Sequence, residues 1–313
     1  LTEEEIDNSF DLPYTREPHP KYDKRGAVPA YEMIKYSINL HRGCFGGCSF
    51  CTISAHQGKF ISSRSEKSIL REIEILASDP LFKGNLSDIG GPSANMYGMC
   101  GHNLKVCEVC SKPSCIYPSV CKNLNNDHSK ILALYRKINA LKSIKHAYIG
   151  SGIRYDMIDE AHRDEYLTEI IVRHTSGRLK VAPEHTSDRV LESMRKPSFD
   201  LFIRLNEDFQ RICQKNSLRY QLIPYFISSH PACRTEDMRQ LSQKMRGLHF
   251  QLEQVQDFTP TPMTKSTAIF YTGIDPYTEK EIFVERDPEK KKVQRSFFFG
   301  EKNSTFIPEK KRR

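Results

Sequence analysis

The sequence lacks any long apolar run and any recognisable export signal. No stretch approaches the roughly 20 apolar residues that a helix needs to cross a bilayer, and the residues after Leu1 do not resemble a signal peptide. These absences argue against membrane-spanning and exported proteins, so we expect a soluble protein of the cytoplasm. Leu1 is not an initiator methionine and the chain ends in EKKRR, so we also expect a fragment of a longer protein.

Against these absences, the chain contains ten cysteines. Cysteines of the reducing cytoplasm are more often metal ligands or redox groups than disulfides. Cys44, Cys48 and Cys51 fall within the stretch HRGCFGGCSFC, and no fourth cysteine lies nearby. A structural zinc site needs four ligands, so His41 or His56 would have to complete it. A four-iron cluster fits the spacing better, because three thiolates hold three irons and leave the fourth open to a small molecule.

Length, hydrophobicity and charge predict a folded body with a basic end. The 313 residues are 38% hydrophobic, which suits one large or two smaller globular domains. The net charge is +8, and residues 286–313 contain ten Lys or Arg against four Asp or Glu. We predict that residues 281–313 form a basic linker or tail. Nucleic-acid binding is the alternative, but charge runs are common and seldom specific.

Short apolar segments alternate with amphipathic helical patterns along the chain. Six strands are predicted, near Tyr36, Leu86, His146, Leu179, Tyr220 and Gln251. Apolar residues at helical spacing lie between them. Strands separated by helices imply an α/β protein with a parallel sheet, either doubly wound or a closed or partial barrel. In each case ligands bind at the C-terminal ends of the strands, and the cysteine loop follows the first strand.

A polar, cysteine-rich segment over residues 92–128 interrupts this alternation. Its five cysteines are Cys100, Cys107, Cys110, Cys115 and Cys121. Such a segment cannot bury enough apolar surface to order itself, so we predict that a second metal, zinc or iron–sulfur, supplies the missing folding free energy. Four thiols are enough for a closed tetrahedral site. Reduced structural thiols and disulfides are the alternatives.

Several motifs together resemble a known family. Cys44, Cys48 and Cys51, with Phe50, resemble the radical S-adenosylmethionine (SAM) signature, and the six βα units resemble the partial barrel of that superfamily. Together with IGGPSANMYGMC, SGIRYD, APEH and LIPYFISSHP, this loop resembles the YgiQ family of radical SAM proteins over roughly residues 10–280. APEHTSDRVLESMRKP and FTPTPMTKST also resemble stretches of tRNA methylthiotransferases and of the Elongator catalytic subunit.

The resemblance implies a domain organisation. A partial (β/α)6 barrel of radical SAM type would occupy residues 36–280, with the cysteine-rich insertion at 92–128 after the second strand. Residues 1–35 would lead in from a further N-terminal domain, since proteins of that family carry extra domains at both ends. Residues 281–313 would form the linker or tail.

The resemblance also implies cofactors and a reaction. Cys44, Cys48 and Cys51 would hold a [4Fe–4S] cluster, and SAM would bind the open iron. An electron from an external donor then breaks a carbon–sulfur bond of SAM, giving methionine and a 5′-deoxyadenosyl radical that abstracts hydrogen from an unknown substrate. The family does not supply the substrate.

Further site residues follow from the same resemblance. Gly90 and Gly91 would present their backbone to the methionine amino group, although Pro92 replaces the usual acidic residue and a tight βα turn is the alternative. Ser151 and Arg154 would contact the ribose or carboxylate of SAM; a helix cap for Ser151 and a surface ion pair for Arg154 are the alternatives. Glu184, with its neighbour His185, would face the cofactor or substrate, as could His230.

The insertion and the overall function leave alternatives open. Cys107 and Cys110 are spaced like a zinc-knuckle pair, yet the resemblance matches Cys100, Cys110, Cys115 and Cys121 and leaves Cys107 spare. The chain could instead be a metal-stabilised nucleic-acid-binding module. It could also be a tRNA-modifying radical SAM relative, although no cysteine trio lies upstream of the loop.

Overall fold

The computed structural model describes residues 1–298, which form an α/β protein with short strands. The strands are β1 Ser37–Asn39, β2 His41–Arg42, β3 Ser62–Ser63, β4 Asn85–Leu86, β5 Asp88–Gly90, β6 Cys100–Gly101, β7 Leu124–Asn125, β8 His146–Ala147, β9 Arg178–Glu184, β10 Gln221–Ser228 and β11 Gln254–Asp257. The α-helices are α1 Glu3–Phe10, α2 Pro29–Ile34, α3 Ile53–His56, α4 Glu66–Ala77, α5 Leu104–Glu108, α6 Ser129–Asn139, α7 Arg163–Arg173, α8 Asp188–Met194, α9 Asp200–Lys215, α10 Thr235–Gly247, α11 Lys265–Thr272 and α12 Pro288–Ser296. Single 3₁₀ turns lie at Pro20–Tyr22, Ala94–Met96, Tyr155–Met157 and Glu160–His162.

Parallel pairing joins the six predicted strand segments in two groups. β1 pairs with β5 and β4 pairs with β8, so the interrupted strand β4–β5 lies between β1 and β8. In the second group β10 lies between β9 and β11. Each segment that the apolar pattern marks as a strand contains one of these, so the predicted α/β alternation is confirmed. Within residues 1–298 no strand pairing joins β8 to β9, and the closure of both groups into one partial barrel stays a prediction.

Apolar helix faces cover these strands. α4 begins after Ser65, whose hydroxyl accepts a hydrogen bond from the Ser68 backbone N–H, and buries Ile69, Ile73 and Leu76 at helical spacing. Each such side chain contributes about 1.5–3 kcal/mol when fully buried. The same pattern forms α6, α7, α9 and α10, as predicted. None of the helices within residues 1–298 is long and apolar enough to cross a membrane.

The predicted lead-in segment packs on this body. Ile6 of α1 is buried, and the Arg16 guanidinium contacts the Glu72 carboxylate at 2.8 Å. Arg64, whose side chain is fully buried, donates to the same carboxylate. A buried carboxylate shared by two arginines therefore ties residues 1–35 to α4.

The predicted basic tail contains α12, which also contacts the body. Gln294 is buried, and its Oε1 accepts a hydrogen bond from the Ser229 backbone N–H at 2.9 Å. The tail is therefore packed on the second strand group as far as the structure describes it. Residues 299–313 of this predicted tail lie outside the described residues.

Candidate functional site

A tight loop between β2 and α3 carries the three closely spaced cysteines. The thiols of Cys44, Cys48 and Cys51 are all half-buried. Gly47 turns the chain with a φ of 56°, in a region that favours glycine. The Gly46 backbone N–H donates to Cys44 Sγ at 3.4 Å, and the Cys51 N–H donates to the Cys48 carbonyl at 3.2 Å. The loop thus holds its thiols on a compact backbone.

Arg154 is brought onto this loop by the fold. Its Nη1 donates to Cys48 Sγ at 3.1 Å, although 106 positions separate the two residues. Its Nε and Nη2 donate to the two carboxylate oxygens of Asp156 at 2.8 and 2.6 Å, a bidentate pair. The Asn95 side chain binds the Arg154 backbone through bonds of 2.8 and 3.0 Å. The guanidinium is therefore fixed beside the thiols.

The structure places Arg154 Nη1 on Cys48 Sγ, and the predicted contact of Arg154 with the ribose or carboxylate of SAM stays a prediction. A Cβ added to Gly46 would lie 2.4 Å from the same nitrogen, so glycine is needed there for the guanidinium to approach. Neither Asn95 nor Asp156 is predicted as a partner of Arg154 from the sequence. The motif SGIRYD contains Asp156 and offered a signal, but no pattern pointed to Asn95.

Burial and like charge make the thiols of Cys44 and Cys51 poor thiolates without a cation. Burial raises the pKa of Cys44 to about 11, and charge on Cys48 and Cys51 adds to the rise while Arg154 opposes it. Burial likewise raises the pKa of Cys51. A cationic metal centre would remove this penalty. Three soft thiolate donors beside one fixed guanidinium suit an iron–sulfur cluster by their donor chemistry.

Gly90 and Gly91, at the end of β5, accommodate neighbouring side chains. A Cβ on Gly90 would lie 2.3 Å from Ser151 Oγ, and one on Gly91 would lie 2.5 Å from Cε1 of His41. His41 is buried, and within the described residues neither of its ring nitrogens makes a hydrogen bond of ordinary geometry. Close packing alone therefore requires glycine at both positions, and the predicted backbone contact with methionine stays a prediction.

Ser151 is engaged by an acidic side chain that the sequence analysis did not single out. Its Oγ donates to Oδ2 of Asp88 at 2.5 Å, while the backbone N–H groups of Gly150 and Ser151 donate to Oδ1 at 2.8 and 3.1 Å. Asp88 thereby joins β5 to the loop that follows β8. The structure thus places Ser151 beside Gly90, with its hydroxyl already bound.

Glu184 ends β9 and faces a cavity beside the cysteine loop. It has a φ of 69°, its carboxylate lies 3.9 Å from Lys196 Nζ, and burial raises its pKa against the opposing charges of Lys196 and Arg154. Its charge also acts on the Cys51 thiol. The cavity measures about 340 Å³ and is lined by Phe50, Ala182, Glu184, Tyr225, Phe226, Ile227, Gln256, Asp257, Phe258, Thr259 and Thr261. These residues include the C-terminal parts of β9, β10 and β11, where the sequence analysis expected a ligand.

The two histidines considered with Glu184 have structural partners. His185 Nδ1 accepts hydrogen bonds from the backbone N–H groups of Thr186 and Ser187 at 2.9 and 3.0 Å. His230 Nε2 lies 2.7 Å from Ser266 Oγ. Both imidazoles are thus occupied by bonds that hold the start of α8 and α11 in place.

The insertion packs directly on the cysteine loop. The Phe45 carbonyl accepts hydrogen bonds from the Cys115 backbone N–H at 2.9 Å and from Ser114 Oγ at 3.2 Å. A Cβ on Gly47 would lie 2.0 Å from the Pro113 carbonyl oxygen, so the two backbones are in contact there. A movement of the backbone in one segment would therefore displace the backbone of the other.

The structure groups the cysteines of the insertion differently from the predicted set. Cys107, Cys110, Cys115 and Cys121 line one small cavity, whereas Cys100 is exposed. The reason is the alternation of side chains along β6. Gly101 faces Cys107, because a Cβ added to Gly101 would lie 2.4 Å from the Cys107 Sγ. The side chain of Cys100, the preceding residue, therefore points to the other side of the strand. Among the described residues, no group of three or more His, Cys, Asp or Glu side chains is already arranged to hold a metal ion.

Comparison with curated proteins gives relatives along almost the whole chain. A UPF0313 protein of Bacteroides thetaiotaomicron is 57% identical over 307 residues, covering 96% of this chain and 49% of the relative. This chain is a homologue of the UPF0313 proteins. The UPF0313 protein of Porphyromonas gingivalis is 56% identical, covering 94% and 48%, and that of Methanosarcina acetivorans is 45% identical, covering 95% and 39%. The chain therefore spans about half the length or less of the UPF0313 relatives named here.

Two family descriptions match parts of this UPF0313 homologue. Residues 1–37 match "Radical SAM N-terminal", and residues 253–304 match a domain of unknown function, DUF3362. Among solved structures, the radical SAM methyltransferase TsrM from Kitasatospora setae, with cobalamin and a [4Fe–4S] cluster bound, aligns at 16% identity with a TM-score of 0.48. That alignment covers 80% of this chain and 43% of TsrM. A likeness of this size establishes neither the fold nor the activity of this chain.

Proposed function

We propose that this chain is the catalytic part of a radical SAM enzyme of unknown substrate, related to the YgiQ family, with a partial (β/α)6 barrel. The observation that carries the proposal is the loop of Cys44, Cys48 and Cys51. Its Cys48 thiol accepts a hydrogen bond from the fixed Arg154 guanidinium, and its Phe50 lines a cavity at strand ends. The match of residues 1–37 to "Radical SAM N-terminal" supports it.

The three thiolates would ligate a [4Fe–4S] cluster. Held there, such a cluster would supply the electron, taken from an external donor, that breaks a carbon–sulfur bond of SAM to give methionine and a 5′-deoxyadenosyl radical. Arg154 stabilises negative charge on Cys48 through its hydrogen bond to Sγ. Asp156 keeps that guanidinium in position, because a bidentate carboxylate fixes its plane.

The cavity beside the loop would receive SAM and part of the substrate. Phe50, Phe226 and Phe258 give it apolar walls, which keep water away from a reactive species. Glu184 supplies a buried carboxyl group with a raised pKa, suited to a hydrogen bond with a hydroxyl or ammonium of the cofactor. Gly90 and Gly91 remain proposed contacts of the methionine end through backbone groups, and Ser151 remains a proposed contact of the ribose or carboxylate of SAM.

Iron binding tests the ligand assignment. We expect anaerobically reconstituted protein to bind about four irons per chain and Cys48→Ala to lose most of them. Cys100→Ala is the matched control, because Cys100 is exposed and lies outside the loop. Equal iron content and the same low-temperature paramagnetic spectrum in Cys48→Ala and the control would overturn the assignment.

A further inference from the structure

Four cysteine side chains of the insertion converge on one cavity that the proposed reaction does not use. Cys107, Cys110, Cys115 and Cys121 line a space of about 40 Å³. Its other walls are mostly apolar, from Phe45, Phe60, Val106 and Leu124, with Gly101 and Asn123. A cavity of this volume holds a single ion or water-sized group.

The backbone around each of these thiols is held by short hydrogen bonds. The Cys110 N–H donates to the Cys107 carbonyl at 3.1 Å, the tight turn that a C-x2-C pair needs to present both thiols to one side. The Cys121 N–H donates to the Cys115 carbonyl at 2.7 Å. Asn123 Nδ2 donates to Cys107 Sγ at 3.2 Å, as donors around thiolate ligands do.

Apolar burial contributes little to holding the segment over residues 102–113 in place. Every residue in it is exposed except Cys107 and Cys110, which are half-buried. Leu104, Val106 and Val109 are 58%, 51% and 85% exposed. Cys107 and Cys110 are thus the most buried residues of this segment, which is otherwise held mainly by hydrogen bonds such as those from Lys59 Nζ to the Cys110 and Lys112 carbonyls at 3.0 and 2.8 Å. A bound ion would supply the free energy that the missing apolar contacts do not.

We propose that Cys107, Cys110, Cys115 and Cys121 bind one Zn²⁺ as a closed tetrahedral tetrathiolate site. The thiols release their protons to solvent when the ion binds. Because no three of these side chains, nor any others in residues 1–298, are already arranged for a metal, binding requires rotation about Cα–Cβ bonds. A change of rotamer moves a sulfur by up to about 3 Å, so the backbone can stay where it is.

The site would fasten the insertion to the cysteine loop. Cys115 is both a proposed ligand and a donor to the Phe45 carbonyl, one residue after Cys44. Ser114 donates to the same carbonyl. The ion is therefore a structural clamp next to the proposed iron–sulfur loop, and all four of its ligand positions are filled by protein.

The test is metal analysis of the chain purified without reconstitution, with Cys107→Ser compared with Cys100→Ser. We expect about one zinc per chain in the wild type, at least a fivefold loss in Cys107→Ser and no loss in Cys100→Ser. Cobalt(II) added to metal-free wild type should give the intense thiolate charge-transfer absorption of tetrahedral coordination. A chelator should make the Lys105–Val106 bond more susceptible to trypsin.

The outcomes separate this proposal from the proposed function. Zinc retained in Cys48→Ala would support a site independent of the iron loop. Zinc absent from the wild type together with no cobalt–thiolate absorption would overturn the proposal. Zinc lost from Cys100→Ser but kept in Cys107→Ser would overturn the ligand set, and iron in place of zinc would overturn the choice of ion.

Discussion

Replacing Gly47 with alanine is expected to separate the cysteine loop from the insertion. The new Cβ would lie 2.0 Å from the Pro113 carbonyl oxygen, and Cβ contacts under 3.0 Å are essentially never observed. The two backbones must therefore move apart by about 1 Å. This movement strains the two hydrogen bonds that the Phe45 carbonyl accepts from the insertion.

The magnitude follows from two contributions. A side chain at the positive φ of Gly47 costs about 1–2 kcal/mol. Weakening two hydrogen bonds costs about 2 kcal/mol more. Gly26→Ala is the matched control, because Gly26 has a φ of 81° and nothing within 4 Å of the added Cβ. Gly26→Ala therefore shares the cost of a side chain at positive φ but not the cost of weakened hydrogen bonds.

Thermal unfolding under anaerobic conditions measures the difference. At about 2–4 °C per kcal/mol, Gly47→Ala should unfold about 4–8 °C below Gly26→Ala and should be cut faster by trypsin within residues 102–113. Equal unfolding temperatures and equal cleavage rates in the two variants would refute the inferred contact between Gly47 and Pro113.

Three further predictions follow from buried charge. Arg64→Met should lower the free energy of unfolding by about 3–5 kcal/mol, since it leaves buried Glu72 with Arg16 alone. Lys137→Ala, which removes an exposed ion pair, should change the free energy of unfolding by less than about 1 kcal/mol. Similar urea midpoints for the two variants would contradict this prediction. Stability should fall as pH drops below 6.5, by up to about 1.4 kcal/mol per pH unit for each histidine involved. The histidines involved are His41, His128 and His185, whose pKa burial lowers to about 4, and His230, whose pKa burial lowers to about 3. The unfolded chain therefore takes up protons first, and equal urea midpoints at pH 7 and pH 5 would disprove the effect. Arg154→Gln should bind iron but with a more negative cluster potential, because it removes a positive charge from Cys48; an unchanged potential would argue against the contact.

Periodicity in the sequence was sufficient to predict the six strand segments and the main helices, because burial of one face imposes the pattern directly. The cysteine spacing similarly marked a compact loop. Periodicity and spacing do not predict contacts between segments that are far apart in the sequence. The hydrogen bond from Arg154 to Cys48 depends on how the segment after β8 packs on the cysteine loop between β2 and α3. The bonds between Asn95 and the Arg154 backbone depend on the same packing.

The insertion shows the limit most clearly. Cys100 and Cys107 are equally plausible ligands by spacing, and only the strand alternation at Gly101 separates them. The glycines of β5 make the same point, since the need for Gly91 can be traced to the ring of His41, fifty positions earlier in the chain. In both cases a side chain from another segment decides the role of the residue.

The most direct test of the central claim is the formation of 5′-deoxyadenosine. Anaerobically reconstituted wild-type protein, reduced in the presence of SAM, should release 5′-deoxyadenosine and methionine, while Cys48→Ala should release neither and Cys100→Ala should match the wild type. Wild-type protein that binds iron and SAM yet yields no more 5′-deoxyadenosine than Cys48→Ala would contradict the account.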